Sequence, residues 1–505
     1  MSLKFPNKTL DIAKTVYIAL LSVYAILREI VVLSNFIENS LFAYFFFGVG
    51  LVILGATFLW NRKYYAVPRI WLLLAFFAIG IVSVLVNFKY ALFSNVKAMG
   101  WMALFLFLCY PMGANAEKEK DRNVTVFFTT SFITASVLVA VSLPMYFFNV
   151  DFTYLNENII GLHSNQGFSH EYSRLWGVFA DANTGAVYSF ATLLMSLFLF
   201  SKTKSKLLKT LMIIADVLIV MYAVLSGSRT VYVVMLAAAV WIAFYRVLKL
   251  VKGKTFKKTM VSLAAGALSA VIVVLVYSGA QFSLPWAKKF LTDVTPKSVT
   301  TAVSSTYESC YLLGGVDITV ENQDKNDKPS KDPSKDPSKE DPDENGVESL
   351  DRTDAAGKDD ISNGRLDKWM DALELYMASP IIGASPRGIS QFGQVHCPDN
   401  DISRYGYAAH NSILQVMMST GTLGLIAVLL ILLSTAVIII KKAYCEKYSA
   451  RNLAYSSMVL AFICSAMFLS DIFFNLTFGG LCFWFLLGMA HEKKGEETEN
   501  CLEEF

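Results

Sequence analysis

The stretch "LFAYFFFGVGLVILGATFLW" (Leu41–Trp60) decides the fold class. It carries no charged residue and, as a helix rising about 1.5 Å per residue, is long enough to cross the roughly 30 Å hydrocarbon layer of a bilayer. Met260–Ala280 repeats the pattern. Across the chain 54% of the residues are hydrophobic and 17% charged, against about 25% charged in soluble domains. The apolar residues come in blocks, whereas the strands of a membrane barrel would alternate polar and apolar positions. The expected fold is an all-α polytopic membrane protein.

About twelve transmembrane helices are expected, near residues 13–34, 41–60, 70–87, 96–112, 124–146, 184–200, 207–225, 229–247, 259–280, 412–440, 453–470 and 476–490. No small-residue processing site follows the first apolar run, so that run is read as a span rather than a cleaved signal. Lys and Arg gather in alternate loops: Lys4, Lys8 and Lys14; Arg62, Lys63 and Arg69; Lys118, Lys120 and Arg122; Lys202 to Lys209; "RVLKLVKGKTFKK" at 246–258; and Lys441 to Arg451. The positive-inside rule then places both termini in the cytoplasm. Residues 1–280 hold the first nine spans, 410–490 the last three, and 491–505 a cytoplasmic tail.

Two long segments face outward in this topology, 147–183 and 281–409. The second contains "KPSKDPSKDPSKEDPDEN", within a disordered insert expected over about 321–360, because nothing apolar is there to bury. Order resumes in an amphipathic helix over about 362–379, where Leu366, Trp369, Met370, Leu373, Tyr376 and Met377 recur at helical spacing. Ser362 or Asn363 would cap it, Pro380 would end it, and it would lie across the bundle as a lid. The seven cysteines form no CxxC pattern. Cys109, Cys464 and Cys482 fall in or beside spans, and Cys310 and Cys397 could pair if their loop lies outside the cell.

The same outward face collects residues that the charge rule keeps away from it. "EYSRLWGVFADANTG" carries Arg174, Asp181, Asn183 and Gly185, and "LSGSRTV" places Arg229 at the mouth of a span. "GRLDKW" supplies Arg365, and "AAHN" supplies His410 and Asn411 ahead of Gly421 and Gly424. Guanidinium forks suit phosphate, and a neutral imidazole can take a proton from a sugar hydroxyl. Arg28 beside Glu29, Asp216 mid-span and Asp471 near the end of the eleventh span are further charges within membrane depth, which are costly there and often functional. Arg28 could reach the same anion, and Asp471 could orient His410. Structural alternatives stand beside each: an interfacial anchor for Arg229, a loop ion pair for Arg174, a helix-start hydrogen bond for His410.

"HNSILQVMMSTGTLG", with "RLWGVFADANTG", "SGSR" and "GRLDKWMDALELYMASPIIGAS" in that order, resembles the O-antigen ligase and O-antigen polymerase superfamily. The resemblance implies a GT-C-like membrane glycosyltransferase in the bacterial plasma (inner) membrane. Its lipid substrate would be an undecaprenyl diphosphate-linked oligosaccharide on the outer face, and its acceptor a glycan or lipid-glycan. A chain-length regulator and a flippase would be its neighbours. Carried over position by position, Arg229 and Arg365 match arginines that grip the diphosphate, and His410 matches the reacting histidine. Arg174, Asn183, Asn411, Asp471 and Arg28 are the expected substrate-binding residues. Arg174 and Gly185 fit an Arg, ten residues, Gly pattern; the second copy expected after Arg365 is absent, with Tyr376 at the matching distance. No metal or cofactor is expected, since "KDD" at 358–360 and "DND" at 399–401 lie in polar loops and His163, His170 and His396 lack ligand spacing. A net charge of +3 points to no nucleic-acid partner. The function expected is polymerisation of surface polysaccharide repeats. The alternatives are ligation of a finished glycan to a surface acceptor and non-catalytic transport of the lipid-linked glycan.

Overall fold

The computed structural model describes residues 7–33, 41–148, 150–154, 158–164, 173–294 and 365–492. The expected insert over 321–360, the helix cap at 362–363, Cys310, His170 and nearly all of the 491–505 tail lie outside these residues.

The helices run α1 (Asn7–Leu27), α2 (Leu41–Trp60), α3 (Ile70–Val86), α4 (Leu92–Ala114), α5 (Arg122–Phe147), α6 (Ala182–Lys202), α7 (Lys206–Leu225), α8 (Arg229–Leu250) and α9 (Thr255–Val294). Three shorter helices follow, α10 (Arg365–Ala378), α11 (Ile389–His396) and α12 (Asp401–Tyr405), and then α13 (Ser412–Cys445), α14 (Ala450–Ala466) and α15 (Phe478–Ala490). Among the described residues nine helices are long and apolar enough to cross a membrane, and Ile70–Val86 and Phe478–Ala490 are apolar but shorter. The chain is a polytopic, mostly helical membrane protein.

The all-α expectation needs one correction. The segment between α5 and α6 forms an antiparallel sheet, β1 (Asp151–Tyr154), β2 (Asn158–Ser164) and β3 (Ser173–Gly177), in the order β1-β2-β3. Leu162 pairs with Leu175 and Ser164 with Ser173, with a register irregularity at Gly161/Leu162. Such short strands inside a polar loop give no alternation long enough to read. The sheet is tied to the bundle: Val31 donates to the Val178 carbonyl at 3.0 Å, Ala180 to that of Glu29 at 2.7 Å, and the Tyr222 hydroxyl to that of Trp176 at 3.0 Å. α9 also passes the expected limit at residue 280, because "SLPWAKKFLTDV" continues helical after the apolar run ends.

α15 sits at the centre, with every residue from Phe478 to Ala490 buried. Small residues allow this. A side chain at Gly488 would strike the Tyr110 carbonyl, and one at Gly113 the Phe485 carbonyl, so α15 and the end of α4 meet backbone to backbone. α2 and α9 turn large apolar side chains outward, among them Phe45, Val52, Leu268 and Leu275, as lipid-facing helices must. Asp216, mid-span, accepts a hydrogen bond from Ser196 of α6 at 2.8 Å, which satisfies one of its oxygens within the bundle. At the end opposite His410, Arg451 pairs with Asp121 at 2.8 Å and with Glu492 at 2.6 Å.

Gly421, the first of the two glycines in α13, has a backbone explanation. Gly421 adopts φ 63°, ψ −162°, which breaks the helix. The segment 380–385 fills the break: Ala384 and Ser385 donate to the carbonyls of Met418 and Ser419 at 2.7 and 3.1 Å, and Thr422 donates to that of Pro380 at 2.7 Å. Ser83 and Asn87 of the α3 end close the joint on the Ser419 and Gly383 carbonyls at 2.7 and 2.9 Å. Gly383, at φ 77°, faces the Ser419–Gly421 backbone with no room for a Cβ. Gly383→Ala is expected to destabilise by about 2–5 kcal/mol, from a left-handed penalty of roughly 1–2 and overpacking of about 1–3. Thermal unfolding in detergent reads this as a lowered Tm.

Candidate functional site

α13 begins at Asn411, whose side chain caps it by accepting from the Ile413 and Leu414 amides at 2.9 and 3.2 Å. That is the ordinary work of an N-cap, and it explains the Asn beside the His. Ser470 fixes the same residue by accepting from its amide at 3.0 Å. The preceding residue, His410, is held at φ 47°, a left-handed conformation that non-glycine residues adopt only when the surroundings enforce it. The chain thus turns sharply at the head of α13, and the imidazole is left half-buried at the turn.

α10 supplies its neighbours. The Trp369 indole donates to the Ala409 carbonyl at 3.1 Å, and the Tyr376 and Thr422 hydroxyls are 2.8 Å apart, so α10 is fastened along α13. The first residue of α10, Arg365, lies over the Phe468 ring at 5.6 Å, and Lys368 over that of Tyr407 at 5.0 Å. Burial lowers the pKa of His410, and the Lys368 and Arg365 cations lower it further, while the Asp181 carboxylate opposes them. Burial and the two cations thus favour the neutral imidazole.

The second group forms where β3 meets α6 and the α7–α8 turn. Arg174, nearly buried, donates from Nε to the Ser226 carbonyl at 2.8 Å and from its fork to Asn183 Oδ1 at 3.0 Å. Asp181 caps α6 through the Thr184 amide at 2.8 Å and accepts from the Asn183 side chain at 3.2 Å. Ser228 caps α8, which leaves Arg229 half-buried as its first residue, in the same turn as Ser226. Arg174, Asn183 and the turn carrying Arg229 are thus directly joined. Asp181 couples this group electrostatically to His410.

Two expected residues stand elsewhere. Arg28 lies just past the end of α1 rather than within it, because Tyr24 to Ile30 turn there; it donates to the Leu476 carbonyl and lines a cavity with Lys97 and Arg387. Asp471 lies between α14 and α15 and is buried against Tyr188 and Gly479. Burial pushes its carboxyl up to about 6. No hydrogen bond joins it to His410 among the described residues. The residues that sequence reading passed over are Lys368, Lys97 and Arg387, and Asp181 as the link. Lys368 sits one helical turn from Arg365, a spacing open to inspection; the others become neighbours only through the fold. Among the described residues no group of three or more His, Cys, Asp or Glu could hold a metal ion.

The fold is that of a many-helix membrane bundle, and at one end of it Arg365, Lys368 and Asp181 act electrostatically on His410. Residues 214–429, which span Arg229, Arg365, His410 and the kink at Gly421, match the family model described as O-antigen ligase, a match that supports kinship with the O-antigen ligase and polymerase superfamily. No curated protein matches the chain.

Proposed function

We propose that this is a membrane glycosyltransferase that moves a glycan from undecaprenyl diphosphate to a sugar hydroxyl and so polymerises surface polysaccharide repeats. The observation that carries the reading is His410, fixed at the head of α13, with its neutral form favoured by burial beside Arg365 and Lys368. In the reaction the acceptor oxygen bonds to the anomeric carbon, its proton passes to the His410 imidazole, and the bond to the diphosphate breaks with its electron pair leaving on the carrier. Arg365, Lys368 and Arg229 offset the charge that grows on the departing group. Arg174 and Asn183 hold the sheet side of the site, and Asn411 fixes the His410 backbone. The His410 end faces the outside of the plasma membrane in this reading.

The test is direct. Purified protein in nanodiscs, given a labelled lipid-linked repeat as both donor and acceptor, is expected to release undecaprenyl diphosphate and lengthen the glycan. Carrier release without lengthening, until an unrelated lipid-glycan acceptor is added, would reassign the chain as a ligase. No joining with any acceptor would leave it a binder or transporter.

A further inference from the structure

Packing against the bundle uses only part of the surface of α10. Each residue of a helix advances about 100° around its axis, which divides α10 into three sectors. Trp369, Ala372 and Tyr376 lie on the bundle side: the first and last bond to the Ala409 carbonyl and the Thr422 hydroxyl, and Ala372 is buried between them. Asp367, Asp371 and Glu374 share a second sector. There Asp371 feels the charges of Asp367, Glu374 and Asp401 of α12, and Glu374 accepts from the Asn400 side chain at 2.9 Å. Met370, Leu373 and Met377 fill the third sector, between the other two, and are 66%, 37% and 69% exposed. A contiguous apolar stripe bounded by carboxylates needs a partner, where single exposed apolar residues do not.

α13 shows what lies next to that stripe. It is 34 residues long, about 51 Å as a helix against a hydrocarbon layer of roughly 30 Å. Its exposed apolar side chains run from Leu423 through Ile426, Leu430 and Leu433 to Ile440, in a stretch without a charged residue. That stretch covers about 27 Å, the thickness of the layer, and begins just past the Gly421 break. α10 joins α13 at this edge. Tyr376 meets Thr422, one residue before Leu423, and the Leu423 amide donates to the carbonyl of Ile381, itself exposed, at 3.4 Å. Met377 and Ile381 thus carry the lipid-facing surface of α13 onto α10 without interruption.

We infer that the Met370, Leu373 and Met377 sector of α10 is immersed in bilayer phospholipid, with the helix lying at the membrane edge and its carboxylates in water. Amphipathic helices settle in this way, the apolar face about 5–10 Å into the boundary between head groups and acyl chains. The acidic sector fits the placement, because carboxylates are costly within hydrocarbon. A second copy of the chain fits less well, since three side chains fall far short of the roughly 800 Å² that each partner gives to a stable interface. The lipid contact is independent of the transferase reading. Taken with that reading, it sets Arg365, the first residue of α10, where a lipid-borne diphosphate would meet it at head-group depth.

The test puts the photo-cross-linker p-benzoylphenylalanine in place of Met370 or Met377. The full chain is held in nanodiscs of phosphatidylcholine and phosphatidylglycerol without substrate, and Leu430 of the span and Glu374 of the acidic sector serve as reference positions. Irradiation is expected to add the mass of one phospholipid at Met370, Met377 and Leu430, roughly tenfold more often than at Glu374. Both α10 methionines are exposed, so the replacements leave the core intact, and an unchanged Tm checks this. Labelling at Met370 and Met377 no higher than at Glu374, with Leu430 labelled, would overturn the inference. A cross-linked dimer through Met370 would reassign the stripe to a second copy. Loss of the phospholipid adduct on adding a few mole per cent of a polyprenyl phosphate would make it a groove for that lipid, and either result overturns the phospholipid assignment. The transferase reading survives all of these outcomes, because it stands or falls on glycan transfer.

Discussion

His410→Ala is expected to abolish measurable glycan lengthening, with kcat/KM down by about 10²–10⁴, the range in which a positioned acid–base group contributes. Donor binding should survive, because the arginines and Lys368 remain. The pH dependence distinguishes an acid–base role from a structural one. Only the neutral imidazole accepts a proton, and burial with the Lys368 and Arg365 cations holds its pKa below 6.5. Activity should therefore persist from neutral pH downward and fall only as the solution passes below that value. Lys368→Gln removes one lowering cation, so the acid limb should move to higher pH; Asp181→Asn removes the one raising group and should move it lower. Rates measured across pH 4.5 to 8 in the two variants check the signs. An acid limb that neither variant displaces would assign the titration to another group, of which Asp471, with a carboxyl near 6, is the first to examine.

The sequence was informative where a physical pattern is local and limited where it is long-range. Leu41–Trp60 reads as a span because its neighbours along the chain are enough to fix its solvent, and the helix found there has those bounds. Asn411 was read as substrate-binding, yet its side chain caps α13, a local role that bonds amides two and three residues on. The role of Gly421 was not legible. Its conformation is needed because 380–385 inserts into the break, and no spacing within 410–424 encodes that partner. α10 shows a different limit. Its apolar positions were read as one face laid on the bundle, yet Leu366, Met370, Leu373 and Met377 are exposed, while Ala372 and Leu375 are buried, Trp369 bonds to Ala409 ahead of α13 and Tyr376 to Thr422 within it. In water an apolar stripe points to the core, but beside a membrane the surroundings can be as apolar as the interior. The period was readable and its direction was not. Lys97 and Arg387 illustrate the rest: each is an unremarkable surface cation until the fold brings α4 and the turn before α11 to one cavity.

Arg365→Ala is the second substitution expected to stop the reaction, and its pattern differs from that of His410→Ala. Arg365 starts α10, lies against Phe468, and acts on His410 through space. In the proposed reaction, removing it takes away a charge that offsets the leaving diphosphate, which costs about 10²–10³ in kcat where a single preorganised electrostatic contact is lost. It also weakens donor binding, so KM should rise together with the fall in kcat, whereas His410→Ala should leave KM nearly unchanged. With the cation gone, the pKa of His410 should rise towards 6.5, and the residual activity should show an acid limb displaced upward. Arg365→Lys keeps a charge but not the planar fork, and is expected to recover part of the pH profile and little of the rate. Steady-state kinetics on the lipid-linked repeat, with KM and kcat resolved across pH for both Arg365 variants, decide it. A rate loss with an unmoved acid limb and unchanged KM would mean that Arg365 serves only to anchor α10 against α13, and the diphosphate would then have to be held by Arg229 and Arg174 alone.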